Sequence, residues 1–224
     1  MPRDGYQEQL RALREDVLYM SEIVLERLQT GLHALEQKDE ELAWEVIEGD
    51  HEVNELYLDL EQDCIDLLAL QQPVAGDLRF IAASFKIITD LERIGDLATN
   101  LGEYTHDAEQ DMFPGVDVQA IGNRVTEMLE AAMEAYADQD PGACYEIAEE
   151  DDVVDEMCED TSETVARDLI AREDVDGDER VTELMRDVQR LLLTIRDLER
   201  VGDHTVNIAA RTLYMAESDD DLLY

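Results

Sequence analysis

Apolar residues recur along this chain at the three-and-four spacing of an amphipathic helix, and no segment alternates with the period of a strand. Leu10, Leu13, Val17, Met20, Val24, Leu28 and Leu32 form one such stripe. It predicts a first helix over about residues 5–36. Asp39 is placed to cap a second, over about 40–71, after the turn at Gln37-Lys38-Asp39. Pro73 is expected in the first turn of a third, about 74–110. Phe113-Pro114-Gly115 breaks the chain, and a fourth helix is expected over about 117–138. Asp140 and Pro141 supply a cap and a first-turn proline for a fifth, about 141–171. An acidic turn from Glu173 to Asp178 leads to a sixth, about 178–217, and residues 218–224 read as a frayed tail.

The pattern occurs twice. Asp90-Leu-Glu-Arg-Ile-Gly-Asp-Leu-Ala-Thr-Asn100 returns 107 residues later as Asp197-Leu-Glu-Arg-Val-Gly-Asp-His-Thr-Val-Asn207, with seven of eleven positions identical. Residues Ala34 to Asn54 align without gaps on Ala135 to Asp155 at an offset of 101, pairing Trp44 with Tyr145 and Asp50 with Asp151. A duplication is the economical explanation. Short connections favour antiparallel neighbours. The expected fold is therefore all-α: two tandem, sequence-related antiparallel three-helix bundles, residues 1–112 and 113–224.

Charge narrows the function. The 224 residues carry 58 acidic and 17 basic side chains, a formal charge of -41, with 45% hydrophobic residues. That hydrophobic content belongs to a folded chain. Molar salt, with a Debye length of about 3 Å, would screen the self-repulsion, so a salty cytosol is the expected setting. No basic cluster offers a surface to nucleic acid or to an anionic membrane. Free phosphate would be repelled unless a metal bridged it. Cys64, Cys144 and Cys158 form no C-x-x-C and have no match across the repeat. They read as buried thiols in a reducing compartment. There is no signal region and no apolar run long enough to span a bilayer.

The repeated motif carries the candidate chemistry. Glu92, Asp96 and Asn100 lie at i, i+4, i+8, as do Glu199, Asp203 and Asn207. Antiparallel packing would set Asp151 and Asp155 against Glu199 and Asp203, and Asp50 and Asn54 against Glu92 and Asp96. Acidic i, i+4 pairs arise by composition alone at ~7% of positions in such a chain, so recurrence in register carries the signal. Two readings stand at this level. Converging carboxylates would hold a divalent ion, their oxygen ligands suiting Mg, Mn, Ca or Fe. Otherwise they form a solvated acidic face paired with Arg93 and Arg200. Gly95 and Gly202, beside the acids, imply either close helix packing or room for a ligand. Glu48-x-x-His51 and Glu103-x-x-His106 have di-iron spacing, but they would not converge and do not recur. His33 reads as surface, and His204 as just outside the ligand face. Met128, Met133 and Met157 read as core. No serine has the histidine partner a nucleophile needs, so no catalytic residue is assigned.

Gln72-Pro-Val-Ala-Gly-Asp-Leu-Arg79, continuing to Asp90-Leu-Glu-Arg-Ile-Gly-Asp96, resembles the signature blocks of the PhoU family of phosphate-uptake regulators. Val46-Ile-Glu-Gly-Asp50 with Val53-Asn54, and Asp151, Val154 and Asp155, extend the resemblance over about residues 5–215. It implies a cytoplasmic, non-enzymatic negative regulator, often a homodimer, that contacts the ATPase of a phosphate ABC transporter and a phosphate-sensing histidine kinase. It also implies iron, zinc, manganese or magnesium on Glu92 and Asp96 with Asp50, and on Glu199 and Asp203 with Asp151 and Asp155. Asn100, Asn207, Arg93 and Arg200 would support these sites. Asn54 departs from the motif by one charge, which should weaken the first site. With the acidic composition, the chain resembles a haloarchaeal member. The alternatives are a carboxylate-bridged metalloenzyme, such as an iron oxidase, and a metal-free helical scaffold.

Overall fold

The computed structural model describes residues 2–70, 73–106, 116–172 and 178–223, and every element among them is helical. In chain order these are α1 (Pro2–Gln37), α2 (Glu40–Glu48), α3 (Asp50–Leu70), α4 (Ala75–His106), α5 (Val118–Asp138), α6 (Pro141–Ala171) and α7 (Asp178–Glu217). A short 3-10 turn, η1, follows at Asp221–Leu223. The expected break at 113–115, the boundary between 112 and 113, and most of the acidic turn after Glu173 lie outside the described residues.

The two halves are built alike down to their turns. Lys38 and Gln139, at offset 101, both adopt the left-handed conformation with φ 55° just beyond α1 and α5. In each case the next residue donates its N–H back into the helix, Asp39 to Ala34 O and Asp140 to Ala135 O, both at 3.1 Å. These bonds satisfy carbonyls that a helix end would leave bare. Asp39 and Asp140 then cap α2 and α6 with their side chains, as the sequence predicts. Pro141 opens α6, where its missing N–H costs nothing. Pro73 instead lies two residues ahead of α4, whose first bond runs from Leu78 N–H to Val74 O.

One feature of the second helix departs from expectation. A single helix over about 40–71 is broken at Gly49, and α3 starts at Asp50. The cause comes from α1. The buried Arg27 donates from Nη2 to the Val46 carbonyl and lays its guanidinium against Gly49, where a Cβ would collide with it. In the second half Glu150 takes the place of Gly49, pairs with Arg124, and α6 runs on unbroken.

The apolar stripe of α1 is buried along its whole length. α1, α2, α3 and α4 pack together, as do α5, α6 and α7, and the two groups join along α4 with α7 and along α1 with α5. α3 and α4 are antiparallel: Gly95 sits by Val53, and Thr99 by Asp50. α4 and α7 are antiparallel too, Asp90 meeting Asn207 and Asn100 meeting Asp197. Tyr136 closes the core between halves, fully buried, stacked on Phe80 and bonded to Ser84 Oγ at 2.8 Å. The three cysteines are buried and unpaired. The tail does not simply fray. η1 returns to α7, Leu222 packs on the core, and Tyr145 donates to Asp219 at 3.2 Å.

Candidate functional site

Four carboxylates gather where α6 crosses α7. Asp151 and Asp155 stand one turn apart on α6, and Glu199 and Asp203 one turn apart on α7. Burial pushes the Asp151 carboxyl up to about 6, helped by the charges of Asp155, Asp203, Asp152 and Glu199. Burial also raises Asp155, with Asp203 and Asp152 adding to it, and raises Glu199, with Asp155 and Asp203 adding to it. The neighbouring charges that raise these three groups are all carboxylates. Asp151 Oδ1 is buried and has no hydrogen-bond partner. Leaving such an acceptor bare costs ~1–3 kcal/mol. Gly202 makes the room for it, since a Cβ there would lie 2.8 Å from that oxygen. A buried bare oxygen beside three carboxylates of exposed residues is an all-oxygen donor set of the kind a hard cation takes. Among the described residues no three of these oxygens lie within 4.8 Å of one another; the trio that does is Asp219, Asp220 and Asp221 in the tail, largely exposed.

The first repeat places the matching residues alike and treats them differently. Asn54 Nδ2 donates to Asp50 Oδ2 at 2.8 Å, and Thr99 Oγ1 donates to Asp50 Oδ1 at 3.1 Å. Both oxygens are thus satisfied from within. Burial and Asp96 raise the Glu92 carboxyl, while Arg93 and His204 pull it down. Burial and Asp50 raise Asp96, while Arg200 pulls it down. Arg93 and Arg200 share one cleft of about 270 Å³ with Asp50, Asp96, Thr99 and Asn100. Donors and cations of the chain already answer these carboxylates, and this set does not fit a metal as the second does. The two glycines divide the same way. Gly95 packs against Val53, 3.1 Å from where its Cβ would be, whereas Gly202 shelters an acid.

Asn100 lines the first cluster's cleft, and both Asn100 and Asn207 make their hydrogen bonds elsewhere. Eight residues of helix turn a side chain about 80° past its starting face, which carries both asparagines to the seam between α4 and α7. There each reaches the aspartate that opens the other copy of the motif. Asn100 donates to Asp197 Oδ2 at 3.0 Å, and Asn207 to Asp90 Oδ1 at 3.4 Å. Tyr104 adds a bond to Asp197 Oδ2 at 2.7 Å, and His204 Nδ1 lies 2.9 Å from Asp90 Oδ1. Asp197, fully buried, also takes Arg196 at 2.8 Å and Arg200 at 3.6 Å. Sequence reading missed Asp90, Asp197, Tyr104 and Thr99. The signal for the first two was present, because each begins the repeated motif. His51 Nδ1 bonds to Glu48 O at the end of α2, and His106 tilts against Trp44, so neither joins a cluster.

Comparison with known proteins adds to this geometry. The PhoU domain matches the chain twice, over residues 17–105 and 118–212. The phosphate-specific transport system accessory protein PhoU homolog 1 of Methanothermobacter thermautotrophicus is 35% identical over 217 residues, spanning 96% of this chain and 95% of that protein. A PhoU homolog of Synechocystis is 32% identical over 215 residues, spanning 95% and 92%. The crystal structure of PhoU from Pseudomonas aeruginosa superposes with a TM-score of 0.86 at 28% identity, covering 96% of this chain and all of that one. The phosphate transport system regulatory protein PhoU from Streptococcus pneumoniae gives 0.84 at 25%, covering 96% and 98%.

Proposed function

This chain belongs to the PhoU family, and from that premise we propose that it is an accessory regulator of a phosphate-specific transport system. It restrains phosphate import when phosphate is plentiful, and it acts by protein contact rather than by turnover. Its partners are the ATPase of the phosphate transporter and, where one exists, a phosphate-sensing histidine kinase. It works in the cytoplasm as a homodimer. One observation supports this most: the match runs through both repeats and nearly the full length of relatives whose names state the accessory role. No described helix is long and apolar enough to cross a membrane.

Within this reading, Asp151, Asp155, Glu199 and Asp203 would hold a divalent or trivalent cation, Fe, Mn, Mg or Zn. A bound cation supplies positive charge that ties α6 to α7 and steadies the outer face of the second bundle. Two features support this reading: Gly202 leaves room for the Asp151 oxygen, and α6 and α7 each carry two of the four acids one turn apart. The -41 charge suits a salty cytosol, as in haloarchaea.

The test is capture of the tagged protein from its own cells, washed in molar salt, under phosphate-replete and phosphate-starved growth. Recovery of the transporter ATPase under replete conditions is expected. Absence of any transport component under both conditions would overturn the reading. Sustained iron-dependent oxygen consumption by the purified protein would do so as well.

A further inference from the structure

We propose that the first carboxylate cluster is not a metal site but an ionic lock between the repeats, with Arg93 and Arg200 standing where a cation would. The inference rests on comparing the two repeats, and it holds or fails independently of the regulatory reading.

Three observations carry it. Both oxygens of Asp50 already accept hydrogen bonds from residues of their own repeat. Both arginines of the repeated Leu-Glu-Arg line the same cleft, although they come from different repeats. Simple duplication would give each cluster one arginine; here the first has two, and none acts on the raised acids of the second. Finally, Arg200 lies 3.6 Å from the buried Asp197, which also accepts from Asn100 of the first repeat. The cluster and the seam between the repeats are therefore one network.

The residues that set this difference can be named. Asn54 and Thr99 of the first repeat are matched by Asp155 and Val206 in the second. Asp155 adds a charge where Asn54 donates a bond, and Val206 has no hydroxyl to offer. Asp50, Glu92 and Asp96 with two arginines sum to about one net negative charge, against about four for the second cluster. A cation entering the first site would have to break two hydrogen bonds and sit beside two guanidinium groups that line the same cleft. Both arginines are exposed, so each acts weakly on Glu92 or Asp96, and the lock works as a network.

The test uses the full chain, with manganese as the probe, counted by elemental analysis after loading and desalting. Arg93→Gln with Arg200→Gln should lower Tm measurably at low salt and leave the manganese count unchanged. Adding Asn54→Asp and Thr99→Val to that background gives the first cluster the second cluster's residues, and it should double the count. An unchanged Tm in the double glutamine variant would overturn the proposal. So would a fall in its manganese count, or no gain of manganese in the fourfold variant when circular dichroism shows it folded. If the fourfold variant does not fold, the glutamine pair alone decides.

Discussion

The two carboxylate clusters descend from one sequence and sit at matched positions on matched helices, yet their acids live in opposite surroundings. In the first, Asp50 is met by an amide, a hydroxyl and two nearby guanidinium groups. In the second, Asp151 is raised by the charges of other acids and keeps one buried oxygen bare. The lesson is that a carboxylate pattern fixes where oxygens stand and not what answers them. Asn54 and Thr99, where the second repeat has Asp155 and Val206, answer Asp50 from within the first repeat.

The largest effects should come from the seam that joins the clusters. Asp197→Ala takes the acceptor from Tyr104 and Asn100, while Arg196 is half exposed and can turn to solvent. Losing hydrogen bonds to a charged acceptor costs ~1.5–3 kcal/mol, which for a chain of this size lowers Tm by about 6 °C. Asp90→Ala, which loses His204 and a longer bond to Asn207, should cost less. Thermal melts of the two variants measure the ratio, and equal losses would mean that the seam is symmetric after all.

Next come the paired glycines. Gly202→Ala pushes a methyl against Asp151 Oδ1, the free end of a side chain that can move away. Stability should barely change, while manganese affinity falls by roughly tenfold or more, as for lost supporting contacts at metal sites. Gly95→Ala meets Val53 instead. It should cost ~1 kcal/mol of stability, offset in part by better helix propensity, and leave manganese binding unchanged. Isothermal titration and melting of both variants separate the two roles.

Much of this was legible before any coordinates. The helix periods, the caps at Asp39 and Asp140, and the duplication follow from local rules that tertiary context did not override. The acids of α6 and α7 converge because i, i+4 spacing fixes one face of a helix. The break at Gly49 was hidden, since its cause is Arg27 on another helix. The bonds of Asn100 and Asn207 across the seam were hidden because a stripe counted in fours drifts off its face after two turns. The fate of Arg93 and Arg200 depends on how the halves dock, which no spacing within one half encodes.

A smaller effect distinguishes the clusters by pH. The Asp151 carboxyl is raised to about 6 in the fold, against about 3.9 in an unfolded chain. The folded state therefore takes up its proton first. For the metal-free protein, stability should rise as pH falls from 7 toward 4, because protonation relieves the repulsion. Metal retention should move the other way and decline below about pH 6, as protons compete for the same oxygen. Asp151→Asn should flatten this slope, the raised Asp155 and Glu199 keeping a part of it, and raise the metal-free Tm by ~2 °C. Melting curves at a series of pH values with a chelator present give both readouts.

The asymmetry itself is most directly tested by counting manganese in two variants side by side. Glu199→Ala with Asp203→Ala strips the α7 acids from the second cluster, and Glu92→Ala with Asp96→Ala strips their counterparts on α4. The first pair should lose bound manganese altogether, and the second should retain the wild-type count. Loss from the α4 pair, or retention by the α7 pair, would contradict the account.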